Sequence, residues 1–543
     1  MPTSRSSTVS SRPRQVHYLT IGVAAFILIY ESTREWFFLD EWDFLANRGA
    51  KLGRDGVFFP HNEHWSTIPI LIWRGLFNLV GVRYYWLYAL PLIIAALGAA
   101  HLLWRLMLRH NVDPWFATLL AASFMVLGVG WQDLIWAFQI GFVGSLAFGL
   151  LAIDAIEREK RYIPALWGLG AVMCSGLGVP MVIAAALVAL AHRRVRVALI
   201  AAFVPGAAFA IWWVAIGHSS SPTVFTNTAQ LPLYIWTGLT ATLAGYLDLP
   251  RVVGAVLIVA LAATAVWLRS TPAVLGASSI ALFAFVGIGR LQDGAGEAAA
   301  SRYSFVAMAL LLPLAGQFLT TVFRHRNLRA IVDVALIGLI GINVLVLHRE
   351  ATTWAVGTQY DRLELPPAAY LVDHGERFLG DLPAGNGYGF AQSTLTLTKL
   401  TQMVKNGQFP VPAKVSASEL ATERAVLTVS ATPRRAFPAG LAFTNPKTPT
   451  CVNLLQGMAV AVTLAGPGSL RLTSSSPLRY SQTNPLSVSV QLNPAPGATQ
   501  TGSAANIGPT DRWLNLPGGG YVSAVVTAFN GPMRVCETAS HPG

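Results

Sequence analysis

The chain alternates between long apolar runs and short polar breaks, and the lengths of the runs decide what they can be. Apolar stretches lie at roughly 18–38, 84–107, 115–131, 137–154, 163–176, 178–192, 196–217, 251–268, 272–289, 303–322 and 329–347. Each predicts a helix of about 17–25 residues, the length that crosses a bilayer, some of them short or tilted. Two further stretches, 67–82 and 231–247, carry Arg74, and Tyr234, Trp236 and Tyr246, and read as interfacial or re-entrant helices. The first run ends in bulky Trp36, Phe37 and Phe38 rather than in small residues, so it predicts an uncleaved first span. Beyond about 350 the pattern changes. Segments such as RAVLTVSA, MAVAVTLAG, LSVSVQL and YVSAVVTAF alternate with period two, punctuated by GPGS, NPAPG and LPGGGY, which predicts a mostly-β domain, sandwich-like. Residues 350–420 read as mixed, with short helices.

Composition agrees with the pattern. Of 543 residues, 53% are hydrophobic and only 12% charged, about half the charge of a soluble protein. Mean hydropathy is +0.50. An ordinary soluble enzyme, a disordered chain and a fibrous one are excluded.

The formal charge of +12 would point to nucleic acid in a soluble protein. Here its placement matters more. If the two ambiguous segments do not cross, one side receives Arg105, Arg109, Arg158, Lys160, Arg161, Arg193, Arg194, Arg196, Arg269, Arg324, Arg326 and Arg329 with the basic N-terminus. Positive loops mark the cytoplasmic side. The expectation is about eleven spans, with the N-terminus inside, the C-terminus outside and no nucleic-acid partner. Residues 1–17 form a cytoplasmic tail, 18–349 a transmembrane domain with a large first outer loop at 37–83, and 350–543 an extracytoplasmic mostly-β domain. The location is the plasma membrane. Cys451 and Cys536 both fall in the outer domain and fit a disulfide in an oxidising compartment, while Cys174 lies in a span. No internal repeat is visible.

Candidate chemistry gathers at the outer boundary. Asp40, Glu41 and Asp43 stand among aromatics just past the first span, in LDEWDFL. Acids there are costly to desolvate and tend to be functional, and partial burial tunes a carboxylate toward general-base work. The same spacing also suits an N-cap at Asp40 with Asp43 at its third position. His61, Glu63 and His64 follow in the first outer loop; if helical, the two histidines share a face and fit acceptor hydrogen bonding or, with Glu63 or Asp40, a divalent metal. Arg290, then Arg302 and Tyr303 opening a span, form a second cluster suited to an anion. It equally suits ion pairs with Asp293 and Glu297. Trp131, Gln132 and Asp133 cap a hairpin, as interfacial anchors do.

These residues carry a resemblance. An acidic pair after the first span, a long first outer loop, many spans and a C-terminal outer domain are similar to the GT-C superfamily of membrane glycosyltransferases, which includes the protein mannosyltransferases, aminoarabinose transferases and actinobacterial arabinosyltransferases. Asp40-Glu41 matches its acidic motif, and the GR and SRY elements at Arg290, Arg302 and Tyr303 resemble a phosphate-side motif. The outer β domain loosely resembles the carbohydrate-binding modules of arabinosyltransferases. The resemblance implies an inverting transfer of a sugar from a polyprenyl-phosphate donor to an envelope glycan, lipid or protein acceptor. Asp40 would be the base with Glu41 as runner-up; Asp43, His61, Glu63 and His64 would support the acceptor side, and Arg290, Arg302 and Tyr303 would hold the phosphate. A flippase for lipid-linked sugars and a non-catalytic envelope scaffold are the competing classes. The missing repeat and the crowding of ionisable residues at the outer boundary count against the first, and the acids beside an arginine pair against the second.

Overall fold

A computed structural model describes residues 11–49, 56–219, 228–323, 325–376, 384, 395–417, 419–420 and, between 429 and 537, nine strands and Leu455. Residues 1–10 of the expected N-terminal tail, Arg324 and the GPGS, NPAPG and LPGGGY turns lie outside the described residues, except at their edges. The chain divides into two compact units. The first is Met1–Glu35, Arg48–Leu76 and Tyr84–Ala355; the second is Trp36–Asn47, Phe77–Arg83 and Val356–Gly543.

The first unit is helical. Its helices are α1 (Ser11–Ser32), α2 (Thr67–Val80, whose last turn belongs to the second unit), α3 (Tyr85–Arg109), α4 (Pro114–Met125), α5 (Gln132–Ile135), α6 (Ile140–Glu157), α7 (Ile163–Cys174), α8 (Gly178–Ala191), α9 (Val195–Ala215), α10 (Leu231–Leu247), α11 (Arg251–Leu268), α12 (Thr271–Arg290), α13 (Ser301–Val322) and the start of α14 (Arg326–Asp373). Local signals set the ends. Asp113 caps α4 by accepting from the Trp115 amide at 2.9 Å, with Pro114 in the first turn; Ser270 caps α12 in the same way at 3.4 Å. Asp248 ends α10 in the left-handed region, and Pro250 starts α11.

Among the described residues, seven helical segments are long and apolar enough to cross a membrane: Tyr85–Arg109, Ala137–Glu157, Val195–Ala215, Arg251–Leu268, Thr271–Asp293, Ser301–Val322 and Asn327–Gln359. The chain is a membrane protein, and the apolar outward faces of α9, α11 and α14, with Phe203, Val214, Val259, Val266 and Leu345 all more than half exposed, suit lipid. The other four apolar runs fall short of that measure. α4, α7 and α8 are 12, 12 and 14 residues long, and α1 opens on Arg12, Arg14 and His17. The ambiguous runs are α2 and α10, neither among the seven. α6 is the hub, packed against α3, α7 and α8, while α12 packs against α8, α10 and α13. Asn343 ties the interior together: its Oδ1 accepts from the Gly128 amide at 2.9 Å and its Nδ2 donates to the Tyr246 carbonyl at 3.1 Å.

The second unit holds a short π-helical turn at Asp43–Asn47, the end of α14, α15 (Leu397–Lys405) and two antiparallel sheets. Here α14 runs unbroken through residue 350, where the pattern had predicted a change of domain; its apolar run gives way to a mixed stretch without a break in the helix. The five-stranded sheet has the order β1 (Val429–Ser430), β7 (Arg512–Leu516), β4 (Gly468–Ser474), β9 (Met533–Glu537), β2 (Cys451–Leu454). The four-stranded sheet has the order β3 (Ala459–Thr463), β8 (Tyr521–Ala528), β5 (Leu486–Pro494), β6 (Thr501–Ile507). Leu470, Leu472, Met533, Val535 and, in the other sheet, Val526 are fully buried. Cys451 and Cys536 stand opposite each other in the β2–β9 register and are disulfide-bonded. Cys174 is free and buried.

Candidate active site

The loop before α2 is built as a rigid ledge. Arg48, buried, donates to the Phe59 and Pro60 carbonyls at 3.1 and 2.8 Å. Thr67 Oγ1 donates to the Val57 carbonyl and accepts from Trp65 Nε1. Trp65 stacks on Trp212 of α9 with centroids 5.4 Å apart, and Trp212 Nε1 donates to the Phe58 carbonyl at 2.8 Å. His61 to His64 is a tight turn, not a helix: the two residues exchange both backbone hydrogen bonds, at 3.1 and 2.9 Å, with Asn62 in the left-handed region. The shared helical face expected for the two histidines is therefore absent.

The turn places His64 against α6–α8. The Gly176 amide donates to His64 Nδ1 at 3.3 Å, which leaves the ring hydrogen on Nε2, 3.8 Å from Glu63 Oε1. A Cβ on residue 176 would sit 3.0 Å from that Nδ1, so the approach suits glycine. Burial, reinforced by Arg290 and Arg302 and only partly opposed by Glu63, lowers the His64 pKa to about 4, so the imidazole is neutral at pH 7. His61 packs edge-on to Phe138, and His64 edge-on to Phe142.

Arg290, at the end of α12, pairs with Glu63 and stands 3.9 Å from Asp293. Arg302, in the first turn of α13, pairs with Glu297 and lies over the Tyr303 ring at 5.1 Å. The ion pairs considered from the sequence are thus present, with Glu63 as Arg290's main partner. Between these groups and the helices opens a cavity of about 430 Å³. Glu63, His64, Arg290 and Tyr303 bring polar groups to its lining. Phe142, Phe209, Trp213, Phe285 and Ile288 make much of the rest apolar. A cation, a neutral histidine and a carboxylate in an otherwise greasy lining suit an amphiphile with an anionic head.

The acidic motif belongs to the second unit. Leu39 takes a positive φ of 52°, and the chain turns there into Glu41–Trp42. Glu41 is fully buried, and its Oε2 accepts from the Phe38 amide at 2.8 Å, closing the turn backwards. Asp40 is half-buried; Asp43 Oδ1 accepts from Asn47 Nδ2 at 3.1 Å. Glu41 thus ties the turn back to Phe38. Trp36, Phe37 and Trp42 pack edge-on around it.

His61 and His64 do not form a metal-ligand set. His64 Nδ1 is taken by an amide and Glu63 by Arg290, and among the described residues no group of three or more His, Cys, Asp or Glu could hold a metal ion. Sequence reasoning missed Asp133. It is fully buried in α5, neither carboxyl oxygen has a hydrogen-bond partner, and burial raises its pKa well above the carboxylate range despite nearby Arg302. A polar residue between two apolar runs, flanked by Trp131 and Trp136, reads as an interfacial cap; only the packing of α13 over it reveals the burial.

No protein-family model matches the chain, and no curated protein matches it in sequence. Among solved structures, the chain is similar to arabinosyltransferase EmbB from Mycobacterium smegmatis, with a TM-score of 0.37 and 11% identity, over 96% of this chain and 64% of that one. The chain thus spans a little under two thirds of that protein's length.

Proposed function

We propose that the protein is an inverting membrane glycosyltransferase that moves a sugar from a polyprenyl-phosphate donor to a cell-envelope glycan, lipid or protein acceptor outside the plasma membrane. The cavity is the observation that carries this reading. Its aromatic lining suits an isoprenoid tail, and Arg290 offers a guanidinium to the phosphate. On donor binding the phosphate would replace Glu63 as the partner of Arg290, with Arg302 and Tyr303 adding charge and a hydroxyl. His64, held neutral with Nε2–H free to donate, suits a sugar or phosphate oxygen.

The acceptor hydroxyl attacks the anomeric carbon, its proton passes to a carboxylate, the bond from that carbon to the phosphate oxygen breaks, and the lipid phosphate departs with the electron pair. The cation lowers the cost of the departing charge. We assign the base to Asp40: it is half-buried, whereas Glu41 is fully buried and engaged in closing its own turn. Asp43 and His61 support the acceptor side.

The test is transfer of radiolabelled sugar from polyprenyl-phosphate donors in membranes carrying the full chain. Wild type transfers; Asp40→Ala loses about 10²–10⁴ in rate, and Arg290→Ala loses about 10² or more. No transfer from any such donor overturns the reading, and full activity in both Asp40→Ala and Glu41→Ala overturns the base assignment.

A further inference from the structure

The helices that frame the cavity carry a second charged cluster at their other ends. Phe142 lines the cavity near the start of α6, and Asp154 lies about 18 Å further along the same axis. Three guanidiniums converge on that one carboxylate. Arg105 Nη2 and Arg109 Nη2 are 3.3 and 2.5 Å from Oδ1, and Arg158 Nε is 2.8 Å from Oδ2.

The neighbouring acids are committed elsewhere. Glu157 Oε1 takes His110, His192 and Thr271 at 3.2, 3.1 and 2.9 Å. Glu159 takes Arg194 at 2.6 Å, and Arg194 also donates to the Ile156 carbonyl. Lys160, Arg161, Arg193 and Arg196 add further positive charge. The cluster is left with cations in excess, and Arg109 Nη1 is buried with no hydrogen-bond partner. The C-terminal end of the α6 dipole accounts for Arg158; it does not account for two more guanidiniums from α3 sharing the same acid.

Beside the cluster the helices turn apolar side chains outward. Tyr162, Ile163 and Leu166 at the start of α7, and Val195 and Leu199 at the start of α9, are 42–62% exposed. Excess guanidinium charge beside exposed apolar helix faces is the surface an amphiphile with an anionic head complements.

We propose that Arg105, Arg109 and Arg158 form a binding site for an anionic phospholipid, distinct from the donor cavity. The lipid phosphate accepts from the guanidinium hydrogens that Asp154 leaves unmatched, and the acyl chains lie along the starts of α7 and α9.

Native mass spectrometry of the full chain in detergent, delipidated and then titrated with palmitoyl-oleoyl phosphatidylglycerol or phosphatidylcholine, tests this. Wild type retains the phosphatidylglycerol at least about tenfold better, and the combined R105Q/R109Q/R158Q variant loses that preference. Asp154→Asn, which removes the competing carboxylate, binds the phosphatidylglycerol at least as tightly as wild type. Equal retention of the two lipids by wild type, preference surviving in the triple variant, or weaker binding in Asp154→Asn overturns the proposal. Displacement of the lipid by an equal concentration of inorganic phosphate overturns the lipid assignment.

Discussion

Half-buried His64 and fully buried Asp133 are titratable groups whose environments oppose their usual charge, and both make the molecule respond to pH. His64 is pushed down to about 4, first by burial. Between its unfolded value near 6.5 and about 4, the unfolded chain binds a proton the folded chain refuses, so this residue's contribution falls as pH drops through that window and is intact above it. A ¹⁵N histidine titration should show the His64 imidazole still neutral at pH 5.5; a midpoint near 6.5 for His64 would contradict the arrangement around Gly176. Asp133 has the opposite sign. Its folded pKa is raised, so stability is lost as pH rises above the ordinary carboxylate value, by up to about 1.4 kcal/mol per pH unit until the folded pKa is reached. Asp133→Asn removes that penalty. The variant should melt at the same temperature as wild type near pH 4 and at a higher one at pH 7; a lower melting temperature at pH 7 would mean an ionised Asp133 held by Arg302.

At the scale of elements, Gly81 shows how much a short connection depends on one backbone. It ends α2 with φ +57°, and a Cβ there would meet the Gln408 carbonyl oxygen at 2.2 Å, next to the bond from the Val82 amide to that same oxygen. Gly81→Ala should destabilise the second unit by about 1–3 kcal/mol, read as a lower melting temperature in the full chain. The sequence marks such elements unevenly. Apolar length placed most helices to within a few residues: 251–268 is α11, and 272–289 is α12 with one residue added at each end, whereas α1 lies earlier than its run at 18–38 and α14 continues far past 347. Period-two alternation located β3, β5 and β8. Composition could not separate a span from a shorter buried helix, because α4, α7 and α8 are as apolar as the long ones and only their ends, set by turns, differ. The site was legible by residue type and not by geometry. Glu63, His64, Arg290 and Tyr303 were all named, yet an HxxH spacing looks the same in a helix and in a tight turn, and only the turn hands His64 Nδ1 to Gly176. Glu41 and Asp40 are adjacent in sequence; their division into a buried and a half-exposed carboxyl depends on the left-handed Leu39.

For the whole molecule, the scarce charge of the sequence becomes a statement about sidedness. Basic residues crowd the ends of α3, α6 and α8 and the start of α9, while Glu63, Arg290 and Arg302 stand at the opposite ends of α12, α13 and their neighbours. The positive-inside rule predicts a cytoplasmic side for the first set. The Cys451–Cys536 disulfide of the second unit is chemically at home in an oxidising compartment. Three measurements should agree. Alkaline phosphatase fused after Lys160 should be inactive and after Glu376 active. The Cys451→Ser, Cys536→Ser double variant should lower the stability of the second unit by about 2–4 kcal/mol, since the bridge closes a loop with a sequence separation of 85. The wild-type chain from intact cells should migrate faster before reduction than after it. An active fusion after Lys160 together with free thiols at both cysteines would place the second unit in the cytoplasm, and with it Asp40, Glu41 and Asp43, on the wrong side for an external acceptor.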